Sequence, residues 1–182
     1  MDLKPQDVVL LLSLLTINSD KRSFSGLAKP LFMSTSHAFE SAKRAEGARL
    51  LTISTAPPSP PKGRGVLFQP HRSNLKEFLI HGVKYAFPAE RSGVTRGVPT
   101  AEGAPPLFEQ FSEDSMLPPV WPSPEGPVRG TGFSPLYENV PKVAMINPSL
   151  YELLALLDAI RDGRAREREF AIRELSARID SK

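Results

Sequence analysis

The chain has 182 residues, of which 40% are hydrophobic and 24% are charged, and it contains no cysteine. This length suits one domain, or one small domain with additions, and the composition is that of an ordinary globular protein. The absence of cysteine excludes a disulfide scaffold and a thiolate metal site, and it fits a reducing compartment.

The net charge of +3 is unevenly distributed along the chain. Residues 20–76 hold ten Lys and Arg against three Asp and Glu, a net charge of +7, whereas residues 77–182 have a net charge of −3. A local basic field attracts polyanions whatever the total charge, because phosphates that bind to it release their counterions. The N-terminal part is therefore where a nucleic acid would bind.

The first predicted helix begins at Pro5 and is strongly apolar. Leucine and valine recur at helical spacing from Val8 to Leu15, so the helix must be buried against partners. The apolar run at residues 8–17 is shorter than the roughly 20 residues that cross a bilayer. The acidic segment before it and the lack of a small-residue cleavage site argue against a signal peptide. We expect a cytoplasmic protein without a membrane association.

Two short helices joined by a tight turn are predicted within residues 24–51. The second helix covers about residues 24–31, residues 32–34 form the turn, and Ser34 is the N-cap of the third helix. The inward face of the third helix consists of small residues that allow close packing: Ala38, Ser41, Ala42 and Ala45. Residues 50–54 then predict a strand.

A loop rich in proline and glycine, residues 55–65, separates that strand from a second short strand at residues 66–69. Together the strands predict a β-hairpin, the wing, whose tip carries Lys62 and Arg64. A fourth helix is predicted at residues 73–87.

The remainder of the chain divides by its proline content. Twelve of the 19 prolines lie between Pro88 and Pro148. Residues 87–147 show no period, yet they contain enough apolar side chains to bury, so we expect an extended arm that lies on its own chain or on a protein partner. After Asn147 as N-cap, two helices are predicted with a break near Gly163, and their leucine stripe suggests a dimer interface.

These elements predict a mainly α protein with a small β-hairpin wing. A winged helix-turn-helix domain with its following helix would occupy residues 1–86, the proline-rich extended arm residues 87–147, and a C-terminal helical pair residues 148–182. The pair is a possible dimerisation element.

The stretch from Leu27 to Leu51 resembles the pattern of MarR-like bacterial transcriptional regulators. The likeness covers about residues 5–70, and residues 78–107 are similar to a stretch of bacterial proteins often described in the same way. It implies a winged helix-turn-helix that binds DNA as a homodimer. The matching residues are Leu27, Ala28, Leu31, Met33, Ser34, Ser36, Arg44, Leu50 and Leu51.

Two residues depart from that pattern. Pro30 stands where a helix-forming residue is usual, and proline inside a helix costs about 3 kcal/mol, so the second helix should be kinked or short. Phe32 replaces the usual glycine of the turn, although bulky residues rarely adopt positive φ. An altered turn would place the third helix differently on DNA.

A recognition helix brings short polar side chains to base edges near its N-terminus and basic side chains to phosphates. Arg44 could instead pair with an acid such as Glu46 or Asp20, and the wing could be no more than a solvated loop. Phe39 could contact a thymine methyl group or belong to the core. The predicted DNA-binding residues are Thr35, Ser36, His37, Lys43, Arg44, Lys62 and Arg64.

Three functions fit the sequence. The first is a homodimeric regulator that binds double-stranded DNA, and the second is a protein-interaction or antitoxin-like module that uses the same scaffold without reading DNA. The third is a small-molecule sensor lined by Tyr85, Phe87, Trp121 and Tyr137, which could equally be core residues. No metal-ligand spacing, phosphate loop or nucleophile motif is present, so we expect no enzyme, no metal and no cofactor. Arg96, in a Thr-Arg-Gly stretch, could bind an anion or lie in a turn.

Overall fold

The computed structural model describes residues 2–17, 21–55, 65–111 and 117–181. Within these residues the chain is mainly helical and holds two small three-stranded sheets, which confirms the predicted class at this level. The chain forms two compact units, residues 1–75 and 76–182. No helix of the described part is both long and apolar enough to cross a membrane.

Three complete α-helices lie in the described part of the first unit. They are α1 (Pro5–Leu15), α2 (Phe24–Ala28) and α3 (Thr35–Gly47). Every residue of α1 from Asp7 to Leu15 is buried, as its apolar sequence predicts. The side chain of Ser34 accepts the backbone N–H of His37 at 3.1 Å, so the predicted N-cap of α3 is confirmed.

An antiparallel sheet completes the first unit. Its strands are β1 (Lys21–Arg22), β2 (Leu51–Thr55) and β3 (Val66–Pro70), with β3 in the middle. Val66 pairs with Thr55 on one side and with Arg22 on the other. The hairpin of β2 and β3 was expected, whereas no strand was predicted at β1. Two residues carry no periodicity, and β1 exists only because β3 offers it a partner edge.

The turn between α2 and α3 contains both residues that depart from the family pattern. The helix α2 has five residues and ends in a 3-10 turn at Lys29–Leu31, because Pro30 has no N–H to donate. Phe32 then has φ 53° and ψ 36°, and the N–H of Met33 donates to the carbonyl of Ala28 at 3.0 Å. Glycine usually supplies this geometry, so the turn keeps its usual shape at the cost of strain in Phe32.

Replacing Phe32 by glycine is expected to stabilise the first unit by about 1 kcal/mol, since glycine adopts positive φ without a steric cost. Phe32 is 47% exposed, so the burial lost with its ring is about half of what a core ring would lose. Hydrogen exchange of the α3 amides would measure the gain. Phe32→Ala is the matched control, because it removes the ring but keeps Cβ. An equal gain in both variants would mean that backbone strain is not the cause.

A helix at residues 72–86 confirms the predicted fourth helix and contains the boundary between the units. It consists of α4 (Arg72–Glu77), a π-helical turn (Phe78–Gly82) and α5 (Val83–Ala86). A Cβ on Gly82 would lie 2.9 Å from the ring of Phe78. The absence of a side chain at Gly82 therefore leaves room for the Phe78 ring beside the π-helical turn.

The second unit combines a sheet with further helices. Its strands are β4 (Arg91–Pro99), β5 (Pro119–Pro122) and β6 (Val128–Phe133), and the helices after β4 are α6 (Phe108–Phe111), α7 (Val140–Ile146), α8 (Pro148–Asp162) and α9 (Ala165–Asp180). Each strand pairs with both others: β4 is antiparallel to β5 and to β6, and β5 is parallel to β6. A Cβ on Gly97 would collide with the carbonyl oxygen of Trp121, so glycine permits this close pairing.

Residues 87–147 thus hold a sheet and two helices, where the sequence indicates an extended arm without regular structure. The two compact units also divide the chain at residue 75, rather than after residues 86 and 147. The reason is physical: these short strands are held by pairing with distant strands and by close glycine contacts, neither of which leaves a period in the sequence.

The C-terminal helices begin and end as predicted. The side chain of Asn147 accepts the N–H of Leu150 at 3.1 Å, and the chain breaks at Gly163 before α9. The leucine stripe of α8 is buried within the second unit, where α8 packs against α9. This stripe, which suggested a dimer interface, therefore already has packing partners inside one chain.

Candidate nucleic-acid interface

Helix α3 has one buried face and one exposed face. Ala38, Ser41, Ala42 and Ala45 are all 0% exposed, so the predicted inward face is confirmed. Small side chains let the helix lie close to its neighbours α1 and α2. The rest of the helix surface is consequently set in a fixed position on the unit.

The exposed face of α3 is the candidate interface. Its residues follow one another at helical spacing, which makes them one continuous strip: Thr35, Ser36, Phe39, Glu40 and Lys43. Thr35 and Ser36 lie in the first turn, where the predicted base-reading residues belong. The strip therefore brings together three of the seven predicted residues.

His37 is placed differently from its two neighbours. Its side chain is half-buried, and its Nε2 lies 3.2 Å from Nε2 of Gln6 on α1. This contact holds the imidazole against α1. In this arrangement the imidazole of His37 holds the start of α3 against α1. It is less available than Thr35 or Ser36 to an outside molecule.

Arg44 lies on the buried side of α3 and pairs with an acid of α1. Its Nε and Nη2 each donate to a carboxylate oxygen of Asp7 at 2.7 Å, and Nη2 also donates to Ser41 Oγ at 3.1 Å. Asp7 is 0% exposed. Hydrogen bonding to Asp7 raises the pKa of Arg44, so the buried guanidinium keeps its positive charge. Arg44 therefore forms an ion pair, as one of the two alternatives predicted, but its partner is Asp7 and neither Glu46 nor Asp20. Because Arg44 is buried, its prediction as a DNA-binding residue is not supported.

Lys43 is the one basic residue of the exposed strip, and it also has a partner. Its Nζ lies 2.8 Å from Oε2 of Glu46, and this hydrogen bond together with the N–H of Ile53 lowers the pKa of Glu46. Exposed pairs of this kind contribute roughly 0–1 kcal/mol, so a phosphate could replace Glu46 at little cost. With Glu40 beside the pair, the strip nevertheless has no excess of positive charge.

The remaining two predicted residues, Lys62 and Arg64, lie outside the described residues. The described part of the wing is the pairing of β2 with β3, from Leu51 opposite Pro70 to Thr55 opposite Val66. This register confirms the hairpin on which the prediction for both residues depends.

The residues that carry the family resemblance have mainly structural roles. Ser34 caps α3, Arg44 forms the buried ion pair, and Ser36 is exposed. The other six are core residues that are at most 8% exposed: Leu27, Ala28, Leu31, Met33, Leu50 and Leu51. The pattern therefore encodes how the helices pack, and most of the outward surface of α3 lies outside it.

The second unit contains a buried polar cluster that sequence reasoning missed. The carboxylate of Asp158 accepts hydrogen bonds from Thr100 Oγ1 at 2.8 Å, Trp121 Nε1 at 2.6 Å and Arg161 Nη1 at 2.7 Å. Burial raises the pKa of Asp158, and Arg161 opposes that shift. Each of the polar atoms named here has a hydrogen-bond partner inside the cluster. The cluster therefore stabilises the unit and leaves none of these atoms for a ligand.

The four aromatic residues considered for a small-molecule site do not form one cluster in the second unit. Trp121 is 1% exposed and belongs to the buried polar cluster, whereas Tyr85 is 77% exposed. The ring of Phe87 packs edge-on against Phe78. The phenol of Tyr137 accepts from Asn139. Their arrangement favours separate packing roles.

Glu102 is a half-buried acid of this unit, and its buried Oε2 atom has no hydrogen-bond partner within the described residues. Burial raises the pKa of Glu102, and the charge of Glu167 adds to the rise. The folded unit thus favours the protonated acid: this group contributes stability below its ordinary pKa of 4.5 and loses it as the pH rises through the folded-state value.

Glu102→Gln is therefore expected to stabilise the second unit by about 1 kcal/mol at pH 7, because a neutral amide replaces a poorly solvated charge. Denaturation followed by the fluorescence of Trp121 at pH 5 and pH 7 would measure this. The gain should be smaller at the lower pH, because the raised pKa of Glu102 favours the neutral acid in the folded wild type as the pH falls. Glu109→Gln, an exposed acid of α6, is the control, and an equal gain there would contradict the explanation.

No group of three or more His, Asp or Glu side chains in the described ranges could hold a metal ion. No protein-family model, curated protein or solved structure matches the chain.

Proposed function

We propose that the chain is a DNA-binding transcriptional regulator of the winged helix-turn-helix kind, related to the MarR-like regulators and active as a homodimer. The observation that carries the proposal is the element order α1, β1, α2, α3, β2, β3 together with the sheet order β1–β3–β2. A helix-turn-helix places its second helix in the major groove, and a dimer places two such helices on neighbouring half-sites. DNA binding of this kind requires no catalytic side chain on the helix that enters the groove.

Base reading falls to the first turn of α3. Thr35 and Ser36 are exposed there, and short hydroxyl side chains accept from and donate to base edges. The neighbouring Phe39 is 40% exposed and could meet a thymine methyl group. Arg44 takes no part in this proposal, because its guanidinium holds α3 to α1.

Phosphate binding falls mainly to the wing and β1. Residues 1–75 hold ten Lys and Arg against five Asp and Glu, and the Arg44–Asp7 and Lys43–Glu46 pairs leave eight against three. Four of these eight basic residues belong, by their sequence positions, to β1 and the wing: Lys21, Arg22, Lys62 and Arg64. Arg22 pairs with Val66, which follows Arg64 by two residues in the sequence. We infer that the wing supplies most of the affinity, and α3 the preference for sequence.

Titration of random-sequence duplex DNA at several salt concentrations tests the proposal. The logarithm of the affinity should fall steeply with the logarithm of the salt concentration, with a slope of about −0.9 for each phosphate contact. Lys62→Gln/Arg64→Gln should flatten that slope by about 2, and Lys43→Gln by about 1 or less. Thr35→Ala/Ser36→Ala should leave the slope unchanged and relax discrimination among sequences in a selection from random DNA.

The charge-matched control is Arg166→Gln/Arg168→Gln on α9, which removes the same two positive charges from the second unit. It should keep the wild-type slope. A wild-type protein that ignores duplex DNA at low salt, or a control that loses as much as the wing variant, would reject the proposed DNA contact. A strictly monomeric protein under binding conditions would reject the homodimer.

A second function, a protein-interaction module on the same scaffold, is favoured by one feature of the exposed strip. The aromatic ring of Phe39 stands beside Glu40, and Phe32 in the preceding turn is 47% exposed. Exposed aromatics are enriched in protein interfaces, whereas an acid facing phosphates weakens DNA binding. Phe39→Ser separates the two functions: it should abolish co-purification of a partner from the native host, but reduce the affinity for random DNA less than twofold.

A further inference from the structure

One face of β4 and β6 carries two arginines directly opposite each other. Arg96 is the Cα partner of Arg129 in the antiparallel pairing, so both side chains leave the sheet on the same face. Both residues are exposed. The next pair on that face is Val94 opposite Thr131, and Val94 is 51% exposed. The face is thus open, with two cations side by side.

The two guanidinium groups lack the partners that usually accompany them. Arg96 donates through Nη1 to the backbone carbonyl of Gly126 at 3.0 Å. Neither Arg96 nor Arg129 forms an ion pair with a carboxylate in the described part of the chain. Opposed like charges on neighbouring strands destabilise a sheet. The pairing therefore calls for an anion that binds both groups.

The fold also fixes the position of Arg96. Its anchor, Gly126, lies so close to Gly97 that a Cβ on Gly126 would collide with the Gly97 backbone. In addition, the N–H of Ser123 donates to the carbonyl of Arg96 at 3.1 Å. The turn of residues 123–126 is thereby held to β4 at Arg96 and at Gly97. One arginine is preorganised, while the other can turn toward a ligand.

We propose that Arg96 and Arg129 form a binding site for a phosphate group on the second unit. Two guanidinium charges match a phosphate dianion, and their planar N–H groups can reach several of its oxygens together. A carboxylate carries a single negative charge, so it would neutralise only one of the two guanidinium groups. The hydroxyl of Thr131, two residues from Arg129 on the same face, adds a donor at the edge of the site.

The site is independent of the proposed DNA contact, because all of its residues belong to the second unit. The phosphate can come from a small molecule or from a nucleic-acid backbone, and the chemistry is the same. Inorganic pyrophosphate and a single-stranded oligonucleotide serve as the two probes. The single tryptophan, Trp121, reports the unfolding of this unit directly.

Pyrophosphate should raise the unfolding temperature of the second unit above that in potassium chloride of equal ionic strength. Arg129→Gln should lower the affinity for pyrophosphate about tenfold, the usual effect of losing hydrogen bonds to a charged group. Without the anion this variant should unfold no earlier than the wild type, because it removes a repulsion and no contact. Arg96→Gln should lose affinity equally.

Arg166→Gln is the matched control, since it removes an exposed arginine from α9 of the same unit. It should bind pyrophosphate as the wild type does, and so should Lys62→Gln/Arg64→Gln. Competition between pyrophosphate and the oligonucleotide would show that the phosphate comes from a nucleic acid. Binding of pyrophosphate without binding of the oligonucleotide would show that it comes from a small molecule. A wild type that responds equally to both salts, or an Arg129→Gln variant that keeps the response, would overturn the site. Preference for poly-glutamate over both probes would also overturn it, in favour of an acidic protein.

Discussion

Replacing Arg44 by methionine is expected to lower the free energy of unfolding of the first unit by about 3–5 kcal/mol. The guanidinium makes both of its short hydrogen bonds to Asp7, a carboxylate 0% exposed that also accepts the N–H of Lys4 at 2.8 Å. Methionine retains an apolar chain in place of the aliphatic part of arginine and leaves that carboxylate without its countercharge. Burial of an unpaired charge is among the few single changes with so large a cost.

Hydrogen exchange is the suitable measurement, because the tryptophan and all three tyrosines lie in residues 76–182. Amides of α1 and α3 should exchange faster in Arg44→Met, while those of β4–β6 keep their protection. Lys43→Met is the control: the neighbouring residue loses the same charge, but its pair with Glu46 is exposed and worth at most about 1 kcal/mol. Similar losses in both variants would contradict the buried pair as the cause.

The same pair determines how the DNA contact can be tested. Arg44→Met alone would weaken DNA binding by unfolding α3, whether or not Arg44 touches phosphate. Asp7→Leu/Arg44→Met removes both charges, and replacing a whole buried pair by apolar residues is often close to neutral for stability. We expect this double variant to keep the wild-type salt slope. A slope flattened by about 1 would place Arg44 on phosphate.

The first unit could be predicted well because its signals are local. The start of α1 at Pro5, the cap at Ser34 and the small inward face of α3 each depend on residues within one or two turns. The unusual turn at Phe32 was also visible, since the residue type itself conflicts with the φ that the turn requires. Such features appear in sequence because neighbours in the chain decide them.

The second unit was predicted poorly because distant residues decide it. The strands β4, β5 and β6 contain proline and glycine where a regular strand would show alternation, and β4 pairs with two strands that begin at least 20 residues after it ends. The buried cluster around Asp158 joins residues as far apart as Thr100 and Arg161. A hydrophobic pattern cannot report such a cluster, since its acid and base lie on the buried side of α8, among apolar residues.

The candidate site combines residues that could be predicted from local sequence with one that could not. Thr35 and Ser36 are exposed as expected, because a residue just after an N-cap starts a known helical face. Arg44 is buried, since its orientation depends on Asp7, 37 residues earlier. The charge excess of residues 20–76 did not show that the exposed strip on α3 has no excess of positive charge, because Glu40 and the Glu46 partner of Lys43 offset its one base.

Arg161→Met is expected to destabilise the second unit by about 3–5 kcal/mol at pH 7. The Arg161 side chain is 3% exposed, and it pairs with the buried Asp158. The same guanidinium donates to three backbone carbonyls, those of Phe87, Ser134 and Pro88, at 2.9–3.2 Å. Methionine would leave the carboxylate and all three carbonyls without their donor, and each unsatisfied buried group adds to the cost.

The loss should depend on pH in a direction that separates charge from packing. Burial already raises the pKa of Asp158, and without Arg161 the opposing charge disappears. A folded-state pKa above the unfolded one gives stability at low pH that is lost as the pH rises through the folded value. Arg161→Met should therefore be less damaging at pH 5 than at pH 7. Denaturation followed through Trp121, whose Nε1 donates to Asp158, measures both.

Arg178→Met is the matched control on the adjacent helix α9. Arg178 also bridges two acids, Glu152 and Glu174, but its side chain is 30% exposed, and water can replace what it provides. We expect a loss of at most about 1 kcal/mol with no dependence on pH of this sign. A pH-independent loss in Arg161→Met would assign its effect to packing alone, and equal losses in the two variants would show that Asp158 is not left as a buried, unpaired charge.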